Sequence, residues 1–74
     1  MVSRQSFVNK IRELNYRYKN QQKRTQLWRH AGSTHRIFVP LSDNLADEYV
    51  RSQLRQTGLL STEEIEKFVG SYQV

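Results

Sequence analysis

The chain has 74 residues, a formal net charge of +5 and no cysteine. This length predicts one small domain, residues 1–74, with a core marginal enough that oligomerisation would help to stabilise it. The lack of cysteine excludes disulfides and cysteine-ligated zinc, and two histidines alone do not make a metal site, so we expect no cofactor. No apolar run is long enough to cross a bilayer and no signal peptide is visible, so we expect a soluble, cytoplasmic protein that does not bind membranes.

The first predicted element is a helix over residues 4–14. Its apolar residues recur at the i, i+1, i+4, i+7 spacing of one helix face: Phe7, Val8, Ile11 and Leu14. Ser3 or Ser6 is suited to cap the N-terminus, because a serine hydroxyl accepts a hydrogen bond from a free backbone amide of the first turn. Asn15 is suited to end the helix in the left-handed conformation.

Three strands follow, near residues 16–20, 25–30 and 35–40. The first alternates aromatic and basic residues, and the polar residues 20–24 are expected to form the loop to the second. The linker 31–34 contains a glycine and two hydroxyl residues, the turn chemistry of a four- or five-residue hairpin loop. Pro40 has no backbone N–H to donate and is therefore expected to end the third strand.

The second half of the chain is predicted to become helical after a polar loop over residues 41–46. Asp47 is suited to cap a helix over residues 47–57, and Gly58 stands where a glycine closes a helix in the left-handed conformation. The apolar stripe of this second helix consists of Tyr49, Val50 and Leu54.

A short third helix is predicted to begin at Ser61. Ser61 and Glu64 have the spacing of a capping box, in which each side chain accepts a hydrogen bond from the other residue's backbone amide, and Gly70 is expected to end the helix. The order is helix, three-stranded antiparallel meander, helix and short C-terminal helix. This order predicts an α+β fold with both main helices on one face of the sheet.

Positive charge is concentrated in the first forty residues. Residues 1–40 contain nine lysines and arginines and one acid, a net charge of +8, whereas residues 41–74 have a net charge of −3. Aromatic residues are interleaved with these cations, as is typical of proteins that bind nucleic acids, although a solvated basic face without a ligand is the alternative. Trp28 is suited either to the core or to stacking on an unpaired base. The cations of the predicted sheet and its loop are the candidate phosphate contacts: Lys19, Lys23, Arg24, Arg29 and Arg36.

Four segments of the chain resemble one known family. They read FVNKIRELNYR from Phe7, LWRH from Leu27, IFVP from Ile37 and VRSQLRQTGL from Val50, and in this order and spacing they are similar to the HicA family of toxin–antitoxin ribonucleases. The resemblance covers about residues 7–60. It implies a fold like that of double-stranded-RNA-binding domains, RNA as the ligand, and an antitoxin-like protein as a further partner.

The resemblance also locates a catalytic position. The family cleaves RNA with one histidine in a Gly-Ser-x-His motif, where its first strand turns into the second. Gly32-Ser33-Thr34-His35 matches that motif but lies one connection later, and a gap-free alignment from Phe7 places the motif's position on Lys23-Arg24-Thr25-Gln26. Gln26 then stands where the catalytic histidine would be. Glutamine does not titrate near neutral pH, so it lacks the proton-transfer chemistry that RNA cleavage needs.

Three functions stay open at this point. The first is an RNA-binding module without ribonuclease activity, the second is a ribonuclease that uses His35 together with His30, and the third is a protein-interaction module that binds an antitoxin-like partner or itself. We favour the first. The acids lie mostly at predicted helix N-termini, where they complement the helix dipole, and they predict no metal site. The predicted RNA contacts are Lys19, Lys23, Arg24, Gln26, Trp28, Arg29 and Arg36.

Overall fold

The computed structural model of the chain describes residues 1–72. Its sheet is an antiparallel meander in which β3 lies between β2 and β4, and a second, two-stranded sheet pairs β1 with β5. The α+β class and the helix–meander–helix order are therefore confirmed. In chain order the elements are β1 (Val2–Ser3), α1 (Arg4–Glu13), β2 (Tyr16–Gln22), β3 (Thr25–His30), β4 (Arg36–Pro40), β5 (Asn44–Leu45), α2 (Asp47–Thr57) and α3 (Thr62–Ser71).

The meander has two different faces. Residues directly opposite each other on neighbouring strands point to the same side of a sheet. Trp28 pairs with Tyr18 on β2 and with Ile37 on β4, and this set defines the helix-covered face. The next position along β3, Arg29, pairs with Arg17 and Arg36, and this set defines the opposite face, which we call the open face.

The core lies between the helix-covered face and the three helices. All three helices contribute buried side chains to one continuous cluster, so both main helices pack on the same face of the sheet, as predicted. The short strands β1 and β5 close one end of this core through Val2 and Leu45. The buried cluster consists of Val2, Phe7, Val8, Ile11, Tyr16, Trp28, Ile37, Val39, Leu45, Val50, Leu54, Ile65, Phe68 and Val69.

Helix termini carry the capping chemistry that the sequence suggests. Ser3 is the N-cap of α1, because its Oγ accepts a hydrogen bond from the Ser6 backbone amide at 3.1 Å. Asn15 has a φ of 70° just after this helix, which confirms its left-handed role. The capping box of α3 is also confirmed, with the Ser61 amide donating to Glu64 Oε1 at 2.9 Å and the Glu64 amide donating to Ser61 Oγ at 3.2 Å.

The boundaries of α2 agree with the prediction, but its N-cap does not. Ala46 occupies the cap position and offers no side-chain hydrogen bond, so the prediction that Asp47 caps the helix is wrong. Asp47 is instead the first helical residue, and its carboxylate lies 3.1 Å from the Met1 amino group. At the other end Gly58 adopts a φ of 69°, as predicted for a residue that closes a helix in the left-handed conformation.

Three predicted loops or ends are wrong. Residues 20–24 do not form a loop, since β2 continues to Gln22 and leaves only a two-residue turn before β3. Part of the predicted loop 41–46 is β5, a strand of two residues whose partner lies more than forty positions away, which no local pattern reveals. Gly70 does not end α3, which continues to Ser71. Gly70 keeps a negative φ, and Gly58 is the one glycine with a positive φ among the described residues.

Candidate nucleic-acid interface

The open face carries a row of arginines in direct register. Arg17, Arg29 and Arg36 stand opposite one another on β2, β3 and β4. Neighbouring strands lie about 4.8 Å apart, so these three positions span roughly 10 Å across the sheet. We call this set the arginine row. Lys19 and Thr34 lie beside it, around a shallow depression of the same face.

Among the described residues, no acid forms an ion pair with the arginine row. Residues 16–40, which include the whole meander, contain no aspartate or glutamate. The ion pairs within the part of the chain that the structure describes involve the Met1 amino group, Lys10 and Arg51, and none of them involves the open face. Like charges directly opposite each other destabilise a sheet. The arginine row therefore makes the open face strongly electropositive at a cost to the stability of the fold.

Apolar side chains lie next to these cations. Leu27 and Phe38 pair across β3 and β4 on the open face, where Leu27 is largely covered and Phe38 is 45% exposed. Proteins that bind single strands combine such features, because unpaired bases stack on exposed aromatic rings and neighbouring cations contact the phosphates. Sequence reasoning missed Phe38 and Arg17 as site residues. The alternation of Tyr16-Arg17-Tyr18-Lys19 is the signal that could have found Arg17.

The predicted contacts Lys23 and Arg24 lie at the end of the sheet. They form the two-residue turn beyond the Gln22–Thr25 pair and are exposed. The Arg24 carbonyl accepts a hydrogen bond from the Leu41 amide at 3.0 Å, which fixes the turn against the end of β4. These two cations therefore extend the positive region lengthwise from the meander, at a distance from the arginine row.

Two further predicted contacts, Gln26 and Trp28, lie on the helix-covered face. Gln26 is partly buried, and its Oε1 accepts a hydrogen bond from Arg4 Nη2. Trp28 is 4% exposed and belongs to the core. The seven predicted contacts therefore lie on both faces of the sheet and in one turn. Three of them lie together on the open face: Lys19, Arg29 and Arg36.

The two histidines meet on the helix-covered face at the other end of the sheet. His30 lies across the turn from His35, as predicted, and its amide donates to the His35 carbonyl at 3.0 Å. Tyr16 lies between the imidazoles, with ring centroids 5.0 Å from His30 and 5.8 Å from His35. The Tyr16 hydroxyl is 2.6 Å from His35 Nδ1, and burial raises the pKa of this hydroxyl.

Each imidazole has a local structural partner. His30 Nδ1 accepts a hydrogen bond from the Gly32 amide at 3.0 Å, which stabilises the turn. His35 Nδ1 is engaged by Tyr16, which anchors the start of β4 to the start of β2. Nineteen positions separate Tyr16 from His35, so no local pattern predicts this bond. Both histidines therefore serve the fold, on the side of the sheet opposite to the arginine row.

Searches with the sequence and the structure find no matching family model, no similar curated protein and no similar solved structure. Within residues 1–72, no three His, Cys, Asp or Glu side chains group in a way that could hold a metal ion. None of the helices in the described range combines the length and the apolar character needed to cross a membrane.

Proposed function

We propose that this chain binds RNA through its open face and does not cleave it. The observation that carries the proposal is the arginine row, in which Arg17, Arg29 and Arg36 stand in register without an acidic partner in the described part of the chain. Three mutually repelling charges do not stabilise the sheet. A polyanion would relieve this repulsion, because each phosphate neutralises a cation and releases counterions.

The neighbouring apolar residues favour single-stranded RNA over a duplex. The Phe38 ring is half exposed on the same face, directly across from Leu27. A duplex keeps its bases stacked inside, where such a ring cannot reach them, whereas a single strand offers the flat face of every base. A single strand across the open face would place phosphates on the arginine row and a base on Phe38.

The position of the imidazoles supports binding without cleavage. A general acid or base acts only within hydrogen-bond reach of the proton that it transfers. His30 and His35 lie on the helix-covered face and hold local hydrogen bonds, so a strand on the open face is out of their reach. Gln26, the residue at the position of the HicA histidine, also lies on the helix-covered face and is bonded to Arg4. We therefore propose a relative of HicA toxins that retains RNA binding alone.

A matched pair of double variants tests this proposal. Arg29→Gln with Arg36→Gln removes two charges from the open face, and Arg55→Gln with Lys67→Gln removes two exposed charges from α2 and α3. With labelled single-stranded RNA in fluorescence anisotropy at 0.1 M salt, losing two phosphate contacts should weaken binding by roughly 25-fold. The helix variant should bind like the wild type. Equal affinities for all three proteins would refute the open face as the RNA site.

A further inference from the structure

A groove runs along the seam between α1 and the edge strand β2, on the helix-covered side. Its walls come from one face of α1 and from the β2 and β3 side chains that α1 leaves partly uncovered. A second depression continues this groove along β2 towards Tyr16 and shares three of the lining residues. We call it the seam groove and define it by Arg4, Arg12, Tyr18, Gln26 and Trp28.

Two cations flank the seam groove. Arg4 and Arg12 are eight residues apart on α1, so they lie within a quarter-turn of each other around the helix and about 12 Å apart along its axis. Arg4 donates from Nε to the Pro40 carbonyl at 3.1 Å and from Nη2 to Gln26. The guanidinium of Arg12 lies 5.4 Å from the centroid of the Trp28 ring. These contacts hold both arginines in place without neutralising them, and neither has an acidic partner among the residues described.

The indole of Trp28 belongs to the same wall and carries a buried N–H. Trp28 is 4% exposed, and its Nε1 is buried without an acceptor among the described residues. Buried indole N–H groups usually donate a hydrogen bond, so an unpartnered one needs a physical reason. The carbonyl oxygen of Gln26, another polar group of this wall, is already engaged by Arg4. An acceptor that enters the seam groove would meet the Arg12 guanidinium where it lies beside this ring.

We infer that the seam groove binds the phosphate group of a nucleotide. Phosphate offers several acceptor oxygens and negative charge, which match the two guanidiniums that flank the groove better than any neutral ligand does. The Tyr18 ring is 50% exposed and meets Trp28 edge-on at 5.8 Å, so it offers a stacking surface beside the phosphate position. This site lies on the other side of the sheet from Arg29 and Arg36, and it does not depend on the function proposed for the arginine row, although Arg17 on the edge strand borders its continuation.

Trp28 is the only tryptophan of the chain, so its indole gives a direct readout. In proton–nitrogen correlation spectra a single indole resonance should move when uridine 5′-monophosphate is added and should stay in place with uridine, which lacks the phosphate. A short oligouridylate, added to the Arg29→Gln, Arg36→Gln protein so that the open face contributes little, distinguishes the two sources of the phosphate. If it binds more tightly than the mononucleotide, the site serves RNA; if it binds no better, the site serves free nucleotides.

One substitution and two control variants locate the binding. Arg12→Gln should weaken mononucleotide binding roughly tenfold or more, because a hydrogen bond to a charged group is lost. Arg55→Gln, on the exposed side of α2, should leave it unchanged. The Arg29→Gln, Arg36→Gln double variant should also leave it unchanged, which separates this site from the open face.

Three results would overturn the inference. The first is an indole resonance that does not shift with any phosphate ligand. The second is an equal shift of this resonance with uridine and with its monophosphate. The third is an equal affinity of the wild type and Arg12→Gln for the mononucleotide. The comparison of the two uridine ligands uses the wild-type protein and needs no variant to fold. Arg12 is itself an exposed residue outside the core, so its substitution removes charge without removing buried volume.

Discussion

Replacing the central arginine of the open face should stabilise the fold while weakening RNA binding. Arg29 stands between Arg17 and Arg36 in direct register, so Arg29→Gln removes both like-charge contacts of the row while keeping a long polar side chain. Cross-strand pairs are worth roughly 0.2–1 kcal/mol, and the low end applies because these side chains are exposed. Two repulsive pairs then amount to about 0.5 kcal/mol, which corresponds to a rise in Tm of about 2–4 °C for a domain of this size.

The increase in the free energy of unfolding can be measured by urea unfolding monitored through the fluorescence of Trp28, which is buried in the native core. Lys23→Gln is the matched control, because it removes the same charge from an exposed turn position that faces no cross-strand cation. Raising the salt concentration to 1 M shortens the screening length to about 3 Å and should erase most of the gain of Arg29→Gln.

The same substitution should cost RNA affinity. One lost phosphate contact weakens binding by roughly fivefold at 0.1 M salt. A less stable Arg29→Gln protein would refute the idea that the arginine row is a cost to the fold. So would an equal gain from Lys23→Gln, or a gain that persists unchanged at high salt.

Three further predictions concern pH, a helix end and catalysis. Burial raises the pKa of Tyr49 to about 12 from 10.0, so the unfolded chain loses this proton first and stability falls as pH rises from 10 towards 12. Tyr49→Phe should make that fall shallower in urea titrations, and an unchanged slope would contradict the assignment. Gly58→Ala should cost about 1–2 kcal/mol because φ is 69°, whereas Gly70→Ala, in a helical position with open space around it, should be neutral or stabilising in the same assay. The purified wild type should leave RNA intact across pH 5–8, and cleavage that His35→Ala reduces by about two orders of magnitude or more would show that the chain is a ribonuclease.

The elements with a strong local signal could be predicted from the sequence. The apolar period of α1, the left-handed Asn15 and Gly58, and the capping box at Ser61 depend on residues within a few positions of one another, and all four are confirmed. The pairing of β1 with β5 joins two strands of two residues each across most of the chain. Such a contact depends on how the helices pack, so no local pattern contains it.

The candidate site was harder to predict because the face of the sheet on which a side chain lies depends on how the strands are paired. Strict alternation from Arg17 would put Lys19 and Gln21 on the open face. The register shifts by one residue between Tyr18 and Asn20, however, and Gln21 pairs with Gln26 on the helix-covered face. One extra residue in a strand reverses the face of every later side chain. The sequence therefore identifies the cations of the meander but not how they divide between its faces.

The salt dependence of RNA binding tests the open face most directly. For single-stranded RNA the slope of log affinity against log salt is about −0.7 per phosphate contact. Contacts from the arginine row and Lys19 then predict a slope of roughly −2.8 for the wild type, a loss of about 50-fold between 50 and 200 mM salt. Substituting glutamine at Arg17, Arg29 and Arg36 together should reduce the slope to roughly −0.7, a loss of about threefold over the same range. Equal slopes for the two proteins would contradict RNA binding through the open face.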